Sequence, residues 1–248
     1  MNNNIYIKAV DISKRFFIFN EKGTTLRMLK SFVKRQPFKK EFWVLRNISF
    51  TVEKGQKIAV VGKNGSGKTT ILRILSGIYN KTSGRLEIKK EPKILFRFWI
   101  GLNYELPVVD NIYLFGAVHG MSRDFLKQNM DKILDMAELQ HLRFSALKDI
   151  SIGQKQRLAL SVFFQTNSDF LIFDESLIFI DQVFACKCET YFKDLSSSDK
   201  TIIMTSHDSN FLRKYCKTAL WIDEGRIRMS GGIEEVLNSY EDSFLQNK

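Results

Sequence analysis

The sequence contains no long apolar run: nowhere do about eighteen consecutive apolar residues occur, the number that a helix needs to cross a bilayer. Met1 is followed by three asparagines and not by the charged and apolar regions of a signal peptide. Cysteine is scarce, and Cys186, Cys188 and Cys216 match no metal-binding spacing, while their odd number argues against a disulfide framework. These absences predict a chain that stays in the cytoplasm with its thiols reduced.

The chain is also short of acidic residues: 27 aspartates and glutamates stand against 38 lysines and arginines, a net charge of +11. Residues 20–43, called the basic insertion below, hold seven basic residues and two acidic ones. Leu26, Leu29, Phe32 and Val33 recur there at helical spacing, which predicts an amphipathic helix. Such a helix lies on a membrane interface or a partner, or is an ordinary solvated surface helix. No recognition motif for nucleic acid occurs elsewhere, so the sequence predicts no nucleic-acid partner.

The 248 residues, 44% of them apolar, are enough for one domain with a substantial core over residues 1–248. Short strand-like segments lie at 5–10, 43–50, 57–61, 83–88, 170–173, 201–205 and 218–222. The chain becomes helical between Asn111 and Gln165, where Ser122 is a candidate N-cap for a single helix carrying apolar residues from Phe125 to Ala137. This order predicts an α/β fold, a parallel sheet flanked by helices and interrupted by a helical insertion.

A glycine-rich loop carries most of the functional information. Residues 62–69 read G-K-N-G-S-G-K-T, between a buried strand at 57–61 and a helix at 70–75. Glycines let the backbone curl until several N–H groups point at one anion. Lys68 can reach the β- and γ-phosphates, and the Thr69 hydroxyl can ligate Mg²⁺. The loop predicts a nucleoside triphosphate as ligand, with ATP and Mg²⁺ as the expected cofactors.

A second acidic motif fits the same chemistry. The apolar strand at 170–173 is followed by Asp174 and Glu175. Asp174 is placed to hold Mg²⁺, and Glu175 is placed to polarise a water for attack on the γ-phosphate. The motif is weak evidence alone and strong in combination with Lys68 and Thr69.

Two further motifs carry a family resemblance. Residues 150–157 read I-S-I-G-Q-K-Q-R, which resembles the L-S-G-G-Q signature of ATP-binding-cassette ATPases, and residues 205–208 read T-S-H-D, where that family has its switch histidine. The chain therefore resembles the nucleotide-binding domain of an ABC transporter over nearly its whole length. The resemblance implies a P-loop ATPase core with a mixed sheet, an antiparallel β subdomain and a helical subdomain at about residues 98–165.

The resemblance, together with the glycine-rich loop, also implies the site. The expected catalytic residues are Lys68, Glu175 and His207, and the expected Mg²⁺ ligands are Thr69 and Asp174. The expected nucleotide-binding residues are Phe16, which stacks on adenine, with Gly62, Asn64, Gly65, Ser66, Gly67, Lys68, Thr69, Thr70, Ser151, Gly153 and the D-loop aspartate Asp181. In the family, the helix end at Ser151 belongs to the opposite protomer, so two chains of a homodimer sandwich two ATP molecules.

The sequence departs from the family pattern at three positions. Ile152 replaces the first glycine of the signature, and Ser176 stands where proline is frequent. Phe98 stands where the family has the Q-loop glutamine that links the Mg²⁺ site to the membrane subunit. The departures lie at the γ-phosphate contact and at the usual coupling contact of the family.

The stretches G-L-N-Y-E-L at 101–106 and D-N-I-Y-L at 110–114 are similar to those of the polysaccharide exporters of the family. This implies a peripheral ATPase on the cytoplasmic face of the inner membrane, bound to an integral membrane permease that alone contacts the lipid-linked glycan. With the last residue at Lys248, no C-terminal carbohydrate-binding domain is expected. Alternatives are an exporter ATPase for another substrate, such as a drug or lipid, and a soluble ABC ATPase that acts on nucleic acid.

Overall fold

A computed structural model describes residues 4–19, 39–95, 101–175 and 182–245. The strands are Ile5–Phe19 (β1), Lys39–Glu53 (β2), Lys57–Val61 (β3), Ser83–Ile88 (β4), Lys93–Leu95 (β5), Phe170–Asp174 (β6), Thr201–Thr205 (β7), Thr218–Asp223 (β8) and Arg226–Gly232 (β9). The order β2-β1-β4 forms a three-stranded antiparallel sheet, and β5-β6-β7-β3-β8-β9 forms a second sheet of six strands.

The helices surround these sheets. They are Lys68–Leu75 (α1), Val108–Val118 (α2), Arg123–Gln128 (α3), Met130–Ala137 (α4), Ile152–Phe163 (α5), Gln182–Ser197 (α6), Ser209–Tyr215 (α7) and Ile233–Leu245 (α8). Two short 3₁₀ turns, Gln140–Leu142 and Leu147–Asp149, connect α4 to α5. In the described part of the chain, no helix combines the length and the apolar character that a bilayer crossing requires.

The larger sheet is mixed. Strands β5, β6, β7, β3 and β8 pair in parallel, and the edge strand β9 pairs antiparallel to β8. The α/β fold with a mixed sheet, a separate antiparallel sheet and a run of helices is thus confirmed. Since β3, β6 and β7 are parallel neighbours, the loops after their carboxyl ends meet at one edge of the sheet, where ligands bind in folds of this kind.

The central strands are buried on both faces. Along β6, Leu171 and Phe173 belong to one apolar cluster, whereas Phe170 and Ile172 belong to another. The first cluster joins the sheet to the helical run α2–α5, and the second joins it to α1 and the antiparallel sheet. Side chains alternate between the faces of a strand, so a continuous apolar run fits a strand covered on both sides. The residues at the ends of these strands are therefore held by packing on two sides.

The first two strands are longer than the sequence predicts. β1 continues past Val10 to Phe19, and its last residue pairs with Lys39 of β2. Residues 39–43, the last part of the basic insertion, therefore belong to β2. Within this extension Phe16 pairs with Phe42 across the two strands, and aromatic residues favour strands. The predicted helix at residues 26–33 lies outside the described residues.

The single helix predicted after Ser122 is divided in two. Ser122 is the N-cap, since its hydroxyl accepts a hydrogen bond from Phe125 N, as predicted. The helix stops at Asn129, which ends α3 and precedes α4. There φ is −101° and ψ is 6°, outside helical values, and both the side chain and the backbone N of Asn129 donate to Phe125 O, at 2.9 and 3.1 Å.

Candidate functional site

The glycine-rich loop of residues 62–69 connects the buried end of β3 to α1. Gly62 and Gly67 have φ of 149° and 113°, values that favour glycine. A Cβ on Gly62 would lie 2.1 Å from Ile222 O, and one on Gly67 would lie 2.6 Å from a methyl of Leu45. The backbone of Ser66 is hydrogen-bonded at both ends: its N donates to Lys63 O at 3.1 Å, and its O accepts from Gly225 N at 3.0 Å. The loop thus packs against β8 of the larger sheet and β2 of the antiparallel sheet.

The side chains of the loop provide groups that a phosphate could use. The Ser66 hydroxyl is buried and has no hydrogen-bond partner among the described residues. Lys68 is only 7% exposed, and its Nζ donates to Gly62 O at 2.8 Å and to Lys63 O at 3.3 Å. A buried hydroxyl and an ammonium group in a loop with exposed backbone suit an anion.

The acidic pair lies at the end of β6, beside the end of β7. Asp174 is buried and accepts a hydrogen bond from the Thr205 hydroxyl at 2.9 Å. Burial raises the pKa of Asp174 above its usual range, and hydrogen bonds from Thr205 and Thr69 oppose that rise. Thr69 and Asp174 therefore lie within reach of one another, as the predicted Mg²⁺ pair requires.

Glu175 and His207 follow two neighbouring parallel strands. Oε1 of Glu175 lies 3.3 Å from Nε2 of His207 and 3.7 Å from Nζ of Lys68. His207 sits between β7 and α7, whose N-cap Asp208 accepts hydrogen bonds from Asn210 N and Phe211 N. The structure thus brings together the three side chains that the sequence indicates as catalytic.

Phe16 of β1 contacts one aromatic and one basic side chain. Its ring meets Tyr79 edge to face, with 5.4 Å between centroids, and Lys14 Nζ lies 4.8 Å from the Phe16 centroid. Arg73 of α1 donates to the Tyr79 hydroxyl at 2.7 Å. Sequence reasoning missed Tyr79, for which the only signal is an aromatic residue just after the helix that follows the loop.

The signature-like segment is exposed. Ser151 caps α5 in a reciprocal capping box with Gln154, as the predicted helix start requires. A Cβ on Gly153 would meet nothing within 4 Å, and Ile152 is 63% exposed. In the described chain, no hydrogen bond or ion pair joins Ser151 or Gly153 to the glycine-rich loop.

The predicted site residue Asp181, and the two departures Phe98 and Ser176, lie outside the described residues. Within the described ranges, no cluster of three or more His, Cys, Asp or Glu residues could enclose a metal ion. An oxygen set of one hydroxyl and one carboxylate nevertheless fits Mg²⁺, which takes few protein ligands and keeps phosphate oxygens and water in its shell. The residues at hand therefore fit Mg²⁺ bound together with a nucleotide.

Comparison with known proteins supplies the family. The family model named ABC transporter matches residues 45–177. The teichoic acids export ATP-binding protein TagH of Lactococcus lactis is 32% identical over 244 residues, which are 98% of this chain and 52% of that protein. The O-antigen export system ATP-binding protein RfbB of Myxococcus xanthus is 33% identical over 200 residues, 81% of this chain and 46% of the relative. The chain spans about half the length of these two relatives.

Solved structures give the same fold. A dimeric ATP-binding cassette in a post-hydrolysis state, bound to ADP and Pi, superposes with a TM-score of 0.71 over 92% of this chain and 98% of its own. At 20% identity this similarity shows the fold alone. The family model, in contrast, matches more than half of the residues, among them the glycine-rich loop and the acidic pair. The chain belongs to the ABC transporter family.

Proposed function

We propose that this chain is the ATP-hydrolysing subunit of a bacterial exporter that moves a lipid-linked polysaccharide across the inner membrane. The observation that carries the proposal is the meeting of Lys68, Glu175 and His207 beside the glycine-rich loop. A loop of this kind alone would only bind a triphosphate, whereas a carboxylate between a lysine and a histidine can also orient a water molecule. The names of the export relatives support the class of transported substrate.

In the proposed site, the backbone N–H groups of residues 62–70 and the ammonium of Lys68 hold the phosphates, and Phe16 stacks on the adenine. The buried Ser66 hydroxyl supports this assignment, since an anion in the loop would supply the partner that it lacks among the described residues. Thr69 and Asp174 would hold Mg²⁺, which neutralises charge on the phosphate oxygens.

Glu175 is proposed to accept a proton from, or to orient, the attacking water. Lys68 and His207 approach one oxygen of its carboxylate, Oε1. The contacts of that oxygen fix the orientation of the carboxylate and leave its second oxygen available to water. His207 is 57% exposed on its side chain, so its ring can also face a γ-phosphate. Phosphoryl transfer depends mainly on positioning and electrostatics, and these residues supply both.

A homodimer is proposed to complete the site. Ser151 and Gly153 lie at the exposed N-terminus of α5, where N–H groups and the helix dipole favour an anion. Because no hydrogen bond or ion pair among the described residues joins them to the glycine-rich loop of their own chain, a second copy would supply them to the nucleotide. Asp181 is proposed to act at the same interface.

The remaining partner is proposed to be an integral membrane permease. In this proposal the permease contacts the glycan, and the present chain does not. The chain itself would lie on the cytoplasmic face of the membrane as a peripheral subunit. Support comes from the names of the export relatives, and from the net charge of +11, which favours an anionic membrane surface. Nucleic acid is not proposed as a partner.

A co-purification experiment tests the proposal. The tagged chain is expressed in its own cells, membranes are dissolved in detergent, and the eluate is analysed by mass spectrometry and for ATP hydrolysis. We expect a polytopic membrane protein in equal amount and Mg²⁺-dependent turnover. The Lys68→Ala variant should recover the same membrane protein without turnover, and its cells should accumulate lipid-linked polysaccharide. Recovery of nucleic acid or of soluble proteins alone, or accumulation of no glycan, would contradict the proposal.

A further inference from the structure

Thr205 occupies the last position of β7, directly beside the acidic pair. In the parallel register of the sheet, Thr205 pairs with Asp174, the last residue of β6. The side chain is 4% exposed, so water cannot easily replace any hydrogen bond that it makes. The polar contacts of this one side chain therefore bear directly on the geometry of the site.

The hydroxyl of Thr205 bridges the two acidic residues. It donates to Oδ1 of Asp174 at 2.9 Å and accepts from the backbone N–H of Glu175 at 2.9 Å. A carboxylate can only accept and an N–H can only donate, so the direction of both hydrogen bonds is fixed. One oxygen atom thus sets the orientation of the Asp174 carboxylate and the position of the Glu175 backbone.

The backbone of Glu175 needs such support. Its φ is +49°, in the left-handed region that non-glycine residues adopt only when neighbouring structure stabilises it. Besides the hydroxyl bond, Glu175 N donates to Thr205 O at a longer 3.3 Å. The carboxylate that leaves this backbone reaches both Lys68 and His207. A shift of the Glu175 backbone would therefore move the carboxylate away from both groups.

We infer that Thr205 is a positioning residue, whose hydroxyl holds the magnesium-binding Asp174 and the water-orienting Glu175 in register with each other. The inference rests on the proposed ATPase function of the site. It assigns the effect to the hydroxyl and not to the β-branched shape, which valine or isoleucine would provide equally well. Valine has the same shape as threonine without the hydroxyl, and serine keeps the hydroxyl without the methyl group, so the two contributions can be separated.

Thr201 provides a matched control at the opposite end of the same strand. It is also buried, and its hydroxyl accepts a hydrogen bond from Gly55 N at 3.0 Å, away from the acidic pair. Thr205→Val and Thr201→Val each remove one buried hydroxyl from β7. Both variants should lower the urea midpoint of unfolding, whereas only Thr205→Val should disturb the site.

The test measures ATP hydrolysis at increasing Mg²⁺, and the affinity for a fluorescent ADP analogue with and without Mg²⁺. For Thr205→Val we expect kcat to fall about 10- to 100-fold, the range that follows from small misplacements of reacting groups. The Mg²⁺ concentration for half-maximal effect should rise severalfold in both measurements. The KM for ATP should stay within about threefold of wild type, since the glycine-rich loop is untouched.

Rescue separates positioning from folding. Thr205→Ser should restore kcat and the Mg²⁺ dependence to within about threefold of wild type, and Thr201→Val should leave both unchanged. The inference is overturned if Thr205→Val matches wild type in both measurements, or if Thr205→Ser is as impaired as Thr205→Val. A wild-type chain without turnover would contradict the proposed function, and the Mg²⁺ dependence of ADP binding would still decide the role of Thr205.

Discussion

The imidazole of His207 and the carboxylate of Glu175 face each other, with Nε2 3.3 Å from Oε1. The two residues come from loops after β7 and β6, which are parallel neighbours in the sheet. Their contact is therefore a direct result of strand order, and it places the carboxylate beside the glycine-rich loop. An acid in this position should be more important for turnover than for nucleotide binding.

Replacing Glu175 with glutamine tests this expectation. The amide keeps the shape of the side chain but cannot accept a proton from water, so we expect kcat to fall at least about 100-fold. Affinity for ATP should change little, because no phosphate contact is assigned to Glu175. Phosphate release and equilibrium binding of a fluorescent ATP analogue measure the two quantities. Glu53→Gln, at the exposed last position of β2, is the control, and Glu175→Gln with wild-type turnover would contradict the assignment.

Phe16 should contribute to nucleotide affinity and little to the rate at saturation. Loss of a base-stacking ring costs about 1–2 kcal/mol, so Phe16→Ala should weaken ATP binding roughly 5- to 30-fold. Phe16→Tyr should bind like wild type. Phe17→Ala removes the adjacent ring, which lies against Arg15, and serves as the control in the same binding titration. Equal losses for Phe16→Ala and Phe17→Ala would mean that the substitutions disturb the pairing of β1 with β2 and do not remove a stacking surface.

The site was predictable where it lies in short contiguous motifs. Asp174 is the last residue of a buried strand, and Lys68, Glu175 and His207 each follow one; the apolar runs of these strands are visible in the sequence. Parallel order then brings the loops after these strands to one edge. The approach of Lys68 and His207 to the Glu175 carboxylate therefore follows from the sequence once the parallel sheet is assumed.

Contacts that depend on register were not predictable. Thr205 bridges the acidic pair only because β6 and β7 pair at one particular offset, and a single sequence does not specify that offset. Tyr79 reaches Phe16 across the fold for the same kind of reason. The division of the helix at Asn129, where φ is −101° and ψ is 6°, is a local backbone departure that the apolar spacing does not reveal.

Asn111, in the D-N-I-Y-L stretch at 110–114, stabilises the turn that precedes α2. It is fully buried; its Oδ1 accepts from Asn103 N at 2.7 Å, and its Nδ2 lies within 3.0 Å of the carbonyl oxygens of Asn103, Leu106 and Pro107. Asn111→Leu has a similar size and would leave these backbone groups without their partner. We expect a loss of about 3 kcal/mol in the free energy of unfolding.

Urea denaturation of the purified variant measures this loss. Asn80→Leu, at an exposed position, is the control and should change stability by less than about 0.5 kcal/mol. The turn at residues 103–107 should also become more accessible to protease in Asn111→Leu alone. Equal stability of the two variants would show that the hydrogen bonds of Asn111 contribute nothing net.

His119 should make stability depend on pH. The ring lies between Phe115 and Phe163, at 4.6 and 5.1 Å between centroids, and burial, with a smaller effect of Lys93, lowers its pKa from 6.5 to about 4. Between these two values the unfolded chain binds a proton that the folded chain does not. Stability should therefore fall as the pH falls through that window, and this contribution should be constant above pH 7. From pH 7.5 to 5 the loss should be about 1–2 kcal/mol, allowing for partial solvent screening.

His119→Phe isolates this contribution, because it keeps an aromatic ring in the slot and removes the titrating group. Unfolding free energies at pH 7.5, 6 and 5 should fall less steeply for the variant than for wild type, by the same 1–2 kcal/mol over the range. The exposed His141 provides the control, and His141→Gln should keep the wild-type slope. Other groups that titrate in this range are common to all three proteins and cancel in the comparison. Parallel pH profiles for wild type and His119→Phe would therefore mean that the ring is protonated equally in the folded and unfolded chain.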